Sequence, residues 1–147
     1  MSDDAPTLPL QGSCLCGGIR YEISEPLVGV VSCHCSMCRK ATGAAFRTRA
    51  TVKVAAFRFV AGAHLLTFFE SSPGEHRSFC RVCGATLITK FDRHPEVYGF
   101  PLGTLDSDPG VKPVRNVLTK YKAPWFDITD GLPQAEDLPP AEPEKGR

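Results

Sequence analysis

Three things are missing from this 147-residue chain, and each removes a class of function. Charge of one sign is not in surplus: 17 Lys and Arg stand against 16 Asp and Glu, so a nucleic acid or membrane surface held by bulk electrostatics is not an expected partner. Long apolar runs are absent. The best, Leu27-Val28-Gly29-Val30-Val31, is strand-sized and far from the ~20 residues that cross a bilayer. An apolar leader is lacking too: Met1-Ser2-Asp3-Asp4 is acidic and no hydrophobic region follows, which makes a cytoplasmic protein with reduced thiols the expectation. What remains, 42% hydrophobic and 22% charged, is the composition of an ordinary globular domain large enough for one core.

Thirteen glycines and thirteen prolines punctuate the chain, which suits many short strands better than long helices. Arg20-Tyr21-Glu22-Ile23 alternates as a half-buried strand does, and residues 28–32 read as a second, more buried one. Strand patterns recur at 46–49, 52–54, 57–60, 65–69, 86–90, 97–100 and 114–118, divided by turn signals such as Ser72-Pro73-Gly74 and Asp108-Pro109-Gly110. The only helical turn expected in the first half is around 37–41. Residues 1–10 form a lead-in, 11–133 the domain, and 134–147 a Pro- and acid-rich extension expected to be flexible. Trp125 and Phe126, with Ile128, are expected to anchor the chain just before it.

The chemistry lies in seven cysteines, an odd number that cannot pair off completely as disulfides. They fall in three clusters: Cys14-Leu15-Cys16, Cys33-His34-Cys35-Ser36-Met37-Cys38, and Cys80-Arg81-Val82-Cys83-Gly84. A C-x-x-C followed by glycine is the form of a zinc knuckle, a tight turn aiming two sulfurs at one point. In C-x-C, residues i and i+2 share one side of an extended segment. A closed structural zinc takes four ligands and a catalytic one typically three, and seven divides naturally that way. The division favoured here joins Cys14, Cys16, Cys80 and Cys83, leaving Cys33, Cys35 and Cys38; the central triplet borrowing from either side stays open. So does completion of the triplet by a histidine. His34 lies nearest but points away from its neighbours' sulfurs on an extended backbone; His64, His76 and His94 remain. A thioredoxin-like role for Cys35 and Cys38 lacks the βαβ context it needs.

Taken in order, Gly12-Ser13-Cys14-Leu15-Cys16-Gly17-Gly18, Cys33-His34-Cys35-Ser36-Met37-Cys38-Arg39-Lys40 and Phe79-Cys80-Arg81-Val82-Cys83-Gly84 resemble the glutathione-dependent formaldehyde-activating enzyme (GFA) family. Lys122-Ala123-Pro124-Trp125-Phe126 and Asp130-Gly131-Leu132-Pro133 are similar to its closing segment. The resemblance spans residues 11–133. It implies a mainly β fold, a zinc-stapled antiparallel tent of several small sheets with little helix. It also implies two zinc ions per chain, a structural one on Cys14, Cys16, Cys80 and Cys83 and a catalytic one on Cys33, Cys35 and Cys38. The activity it implies is of the carbon–sulfur lyase type, joining a thiol such as glutathione to an aldehyde such as formaldehyde.

Basic residues near the central cluster, Arg39, Lys40, Arg47 and Arg49, are candidates for offsetting thiolate charge or binding a substrate carboxylate, Arg39 foremost. Arg47 and Arg49, two apart on a strand, are otherwise expected on a solvent face. Phe46, Phe57 and Phe59 are expected to pack in the core rather than wall a pocket. The competing reading is a non-catalytic zinc scaffold that binds another protein. Two divalent ions on seven thiolates turn the formal charge from +1 to about −2, which disfavours nucleic acid as its partner.

Overall fold

The computed structural model describes residues 5–138. Along them run β1 (Leu10–Ser13), β2 (Arg20–Ile23), β3 (Val28–Cys33), the single α-helix α1 (Ser36–Thr42), β4 (Arg47–Lys53), β5 (Phe57–Ala61), β6 (Leu66–Ser72), β7 (Glu75–Cys80), β8 (Thr86–Phe91), β9 (Val97–Pro101) and β10 (Arg115–Val117). Two sheets result. The smaller has the order β1-β2-β5, the larger β10-β3-β4-β9-β8-β7-β6. The paired strands are antiparallel except β10, which lies parallel to β3 and so brings the end of the domain beside Cys33. The chain is mainly β, as expected.

Alternation explains β2, where Tyr21 and Ile23 are buried between exposed Arg20 and half-buried Glu22. The patterns at 46–49 and 52–54 belong to one strand, β4, because Ala50 is small enough to bury against its partner Phe100 without breaking the run. A 3-10 turn at Val54–Ala56 then carries the chain from the larger sheet into β5 of the smaller. Two strands have no apolar alternation and were not expected: β1 (Leu10-Gln11-Gly12-Ser13) and β7 (Glu75-His76-Arg77-Ser78-Phe79-Cys80).

Both sheets contribute to one core. Leu10, Ile19, Tyr21, Ile23 and Phe57 meet Leu87, Ile88 and Phe100, and Tyr21 stacks on Phe57 at 4.8 Å between ring centres. The Tyr21 hydroxyl remains hydrogen-bonded, 2.6 Å from Thr104 Oγ1, so burying it leaves no polar atom stranded. A second, smaller cluster is separate: Val31, Cys33, Cys38 and Val117, with Cys35 and Leu118 against it.

The closing segment corrects one expectation. Trp125 is 71% exposed and anchors nothing; Ala123 is buried and half-buried Phe126 packs on Phe46, ring centres 5.5 Å apart. Beyond it, Ala135 exchanges backbone hydrogen bonds with Asn116 and Thr119, and Asp137 pairs with Lys120. Residues 139–147, the remainder of the extension, lie outside the described residues.

Gly62 holds the two halves of this arrangement close. Its φ is +75°, and a Cβ there would sit 2.0 Å from the Gly18 carbonyl oxygen, in the turn that follows Cys16. Gly62→Ala therefore combines a left-handed backbone with a backbone clash. It is expected to lower stability by about 3 kcal/mol, read as a fall of roughly 10 °C in melting temperature. An unchanged melting curve would show that this approach is not required.

Candidate metal centres

The first centre draws on both sheets. Cys14 leaves β1 and turns back at once: the Gly17 N–H donates to the Cys14 carbonyl at 3.0 Å, with Gly17 at φ +76°. The Ile19 N–H donates to Cys14 Sγ at 3.3 Å, a contact that stabilises a thiolate. Cys80 ends β7, and the knuckle closes when the Gly84 N–H reaches the Cys80 carbonyl at 2.7 Å. Glycine is required at 84 because its φ is +77°.

Together these turns bring Cys14, Cys16, Cys80 and Cys83 to one point. Their sulfurs lie within 4.8 Å of one another, with Cys14 to Cys16 at 3.5 Å and Cys16 to Cys80 at 3.9 Å. Four thiolates around a tetrahedral ion with bonds of about 2.3 Å stand about 3.8 Å apart. The donor set fits a metal ion of that kind, and none of the seven cysteines is in a disulfide.

Electrostatics points the same way. The Ala85 N–H holds the Cys83 thiol down to about 6, whereas Cys16, although the Gly18 N–H favours its thiolate, is pushed up to about 11 by its neighbour Cys14. Four crowded thiolates repel, so without a cation only some of them ionise.

The second centre is local. Cys33 ends β3; Cys35 is the N-cap of α1, its sulfur accepting from the Cys38 N–H at 3.2 Å; and Cys38 lies one turn on. Gly43, left-handed, closes the helix with an N–H to the Arg39 carbonyl. The three sulfurs lie within 4.8 Å of one another. Hydrogen bonds from the Cys33 and Cys38 thiols hold Cys35 down to about 2 and, by the same sharing, push Cys33 far up. Three close sulfurs with one charge among them form a donor set suited to a soft divalent cation.

No fourth Cys, His, Asp or Glu joins this group among the described residues. His34, between two of the cysteines, is fully buried and directed elsewhere: Nε2 lies 2.8 Å from Asn116 Oδ1. The Asn116 amide nitrogen donates to both oxygens of Asp130, at 3.2 and 3.1 Å. A carboxylate only accepts, so the amide oxygen faces the imidazole and His34 donates from Nε2. This chain ties the cysteine loop to β10 and the closing segment. Sequence spacing alone had no means of finding it.

Arg39 and Lys40 follow Cys38 on the same helix, Arg39 half-buried and Lys40 exposed. Arg47 is not on a solvent face. Its register partner is Cys33; it is buried, and burial pulls its guanidinium down to about 10, still charged at neutral pH. Arg77, on the unexpected strand β7, directs Nη2 to Cys38 Sγ at 3.8 Å. A third group, Glu70, His76 and Asp92, forms a surface hydrogen-bonded cluster of the kind common without an ion. Two surface depressions, of about 590 and 440 Å³, lie along the N-terminal lead and near Ser24 and Arg58, and no cysteine lines either.

Residues 9–121 match the family described as glutathione-dependent formaldehyde-activating enzyme, GFA. The chain belongs to this family. A Halomonas elongata protein named "Putative glutathione-dependent formaldehyde-activating enzyme" is 31% identical over 127 residues, covering 81% of this chain and 80% of its own. The crystal structure of a Rhodobacter sphaeroides protein is also 31% identical, with a TM-score of 0.57 over 70% of this chain and 91% of that one.

In this GFA domain the two centres have different mechanical duties. The four-cysteine centre joins separate sheets, so an ion held there would contribute to folding; the three-cysteine loop is braced by other contacts. Cys14→Ser or Cys80→Ser is therefore expected to abolish cooperative melting or lower the midpoint by more than about 10 °C. Cys35→Ser is expected to cost less than half as much. Equal losses from all three, measured by thermal denaturation on metal-loaded protein, would contradict this division.

Proposed function

We propose that this protein is a zinc-dependent enzyme of the carbon–sulfur lyase type, forming or breaking an adduct between a thiol such as glutathione and an aldehyde such as formaldehyde. One observation carries the reading: three sulfurs converge on a point that no other protein ligand completes among the described residues. Cys14, Cys16, Cys80 and Cys83 hold a structural zinc; Cys33, Cys35 and Cys38 hold the catalytic one, giving two ions per chain. The family and the Halomonas name support the thiol and aldehyde classes. Among the described residues no helix is long and apolar enough to cross a membrane. Separately, the acidic start of the chain and its reduced cysteines are the grounds on which we place the enzyme in the cytoplasm.

Held by Cys33, Cys35 and Cys38, a zinc ion would supply a cation that lowers the proton affinity of an incoming thiol. Three thiolates already place −3 against the +2 ion, which makes the centre electron-rich and a poor activator of water. That donor set favours thiol chemistry over hydrolysis. The substrate sulfur adds to the aldehyde carbon, the C=O π pair moves to oxygen, and the proton leaving sulfur ends on that oxygen. The product is a hemithioacetal, and the reverse breaks the same C–S bond. Cys33, Cys35 and Cys38 set the position of attack. Arg39, one residue beyond Cys38, presents a guanidinium that a glutathione carboxylate can pair with.

Metal analysis of reduced protein should give two zinc ions per chain. After cobalt substitution, added glutathione should perturb the spectrum of the three-cysteine centre, and formaldehyde should then give S-hydroxymethylglutathione faster than without protein. Cys35→Ser should lose one metal and that acceleration. A cobalt spectrum indifferent to thiol would instead identify a closed scaffold that binds another protein.

A further inference from the structure

The buried arginines beside the three-cysteine loop have a duty that the reaction does not assign. Arg47 and Arg77 are 3% and 8% exposed, and both carry N–H groups that meet no acceptor: Nε and Nη2 of Arg47, Nη1 of Arg77. What holds them is sparse. Arg47 Nη1 donates to Thr89 Oγ1 at 3.2 Å; Arg77 donates to Ser71 Oγ at 3.1 Å and to Glu75 at 3.4 Å, and points Nη2 at Cys38 Sγ. Sheet register explains the grouping, since Arg47 stands opposite Cys33 and Arg77 opposite Thr89.

Two buried guanidiniums against one carboxylate leave a local charge of about +1, a costly arrangement unless something negative belongs there. A divalent ion on three thiolates carries −1, the same sign and size as the single thiolate these sulfurs hold without it, so this pocket of the protein stays nearly neutral when the centre is loaded.

We propose that Arg47 and Arg77 are the residues that retain the metal of the three-cysteine centre, Arg77 acting through its N–H contact on the Cys38 sulfur. They are positioning residues, acting through the cysteines beside them. The inference rests on the metal-centre reading of Cys33, Cys35 and Cys38 and adds what keeps that ion in place. Outer contacts of this kind are commonly worth 10- to 100-fold in metal affinity.

Arg77→Met and Arg77→Lys test it by chelator competition, with the four-cysteine metal as the internal measure of an intact fold. Arg77→Met should release the three-cysteine metal to about tenfold less chelator, with the other metal unmoved, and Arg77→Lys should fall between it and the wild type. In cobalt-substituted protein, losing the N–H on sulfur raises its electron density. The sulfur-to-cobalt charge-transfer band should therefore move to longer wavelength in Arg77→Met, and by less in Arg77→Lys, whose shorter side chain keeps N–H donors but not the guanidinium's reach. Wild-type retention and an unmoved band in Arg77→Met overturn the role. Should Arg77→Met fail to fold, Arg77→Lys decides: an unmoved band and wild-type retention overturn it equally. A wild-type protein that binds one metal overturns the two-centre reading and this role with it, whereas two metals with no effect of Arg77 overturn this role alone.

Discussion

The convergence of four sulfurs from two sheets is the constraint on which the rest of the structure depends. Cys14 and Cys16 hang from the three-stranded sheet and Cys80 ends a strand of the seven-stranded one. Sulfur spacings of 3.5 and 3.9 Å leave little freedom in how those sheets meet. The shared core fills the space between them, but apolar packing is non-directional, and it is the thiol cage that orients the β1 turn against the end of β7. Glycines at 17 and 84 belong to this constraint, because each turn needs a backbone that other residues rarely adopt.

The three-cysteine loop obeys different rules. All its donors come from one short stretch, the end of β3 and the first turn of α1, so its sulfurs meet without help from distant chain. Distant chain enters instead as a brace. His34 ties the loop through Asn116 to Asp130, Val117 packs in its apolar cluster, and β10 runs parallel to β3 beside it. A centre built this way can be rigid without being the fold's main support.

Charge links the two levels. Seven sulfurs in two clusters gather negative charge as they ionise, and the surroundings answer in kind. At the four-cysteine centre the answer is backbone N–H groups on sulfur; at the three-cysteine centre buried guanidinium joins the Cys38 N–H on the Cys35 sulfur. Arg39 and Lys40, by contrast, keep a share of solvent in the last turns of α1.

The cysteine clusters, the turn glycines and most strands were legible in the linear chain, because each rests on local chemistry: sulfur spacing, backbone handedness, alternation of apolar residues. Two polar strands were not, for β1 and β7 are held by ladder partners and by the cysteines at or beyond their ends rather than by their own pattern. Trp125 misled for the opposite reason, its size suggesting an anchor that Ala123 and Phe126 supply. Strand order alone set Arg47 opposite Cys33 and carried Arg77 to Cys38, contacts spanning 14 and 39 positions. Which residues can bind a metal is a property of side chains and near neighbours, readable one segment at a time. Which charges surround those sulfurs depends on how segments stack, and no spacing rule reaches that far.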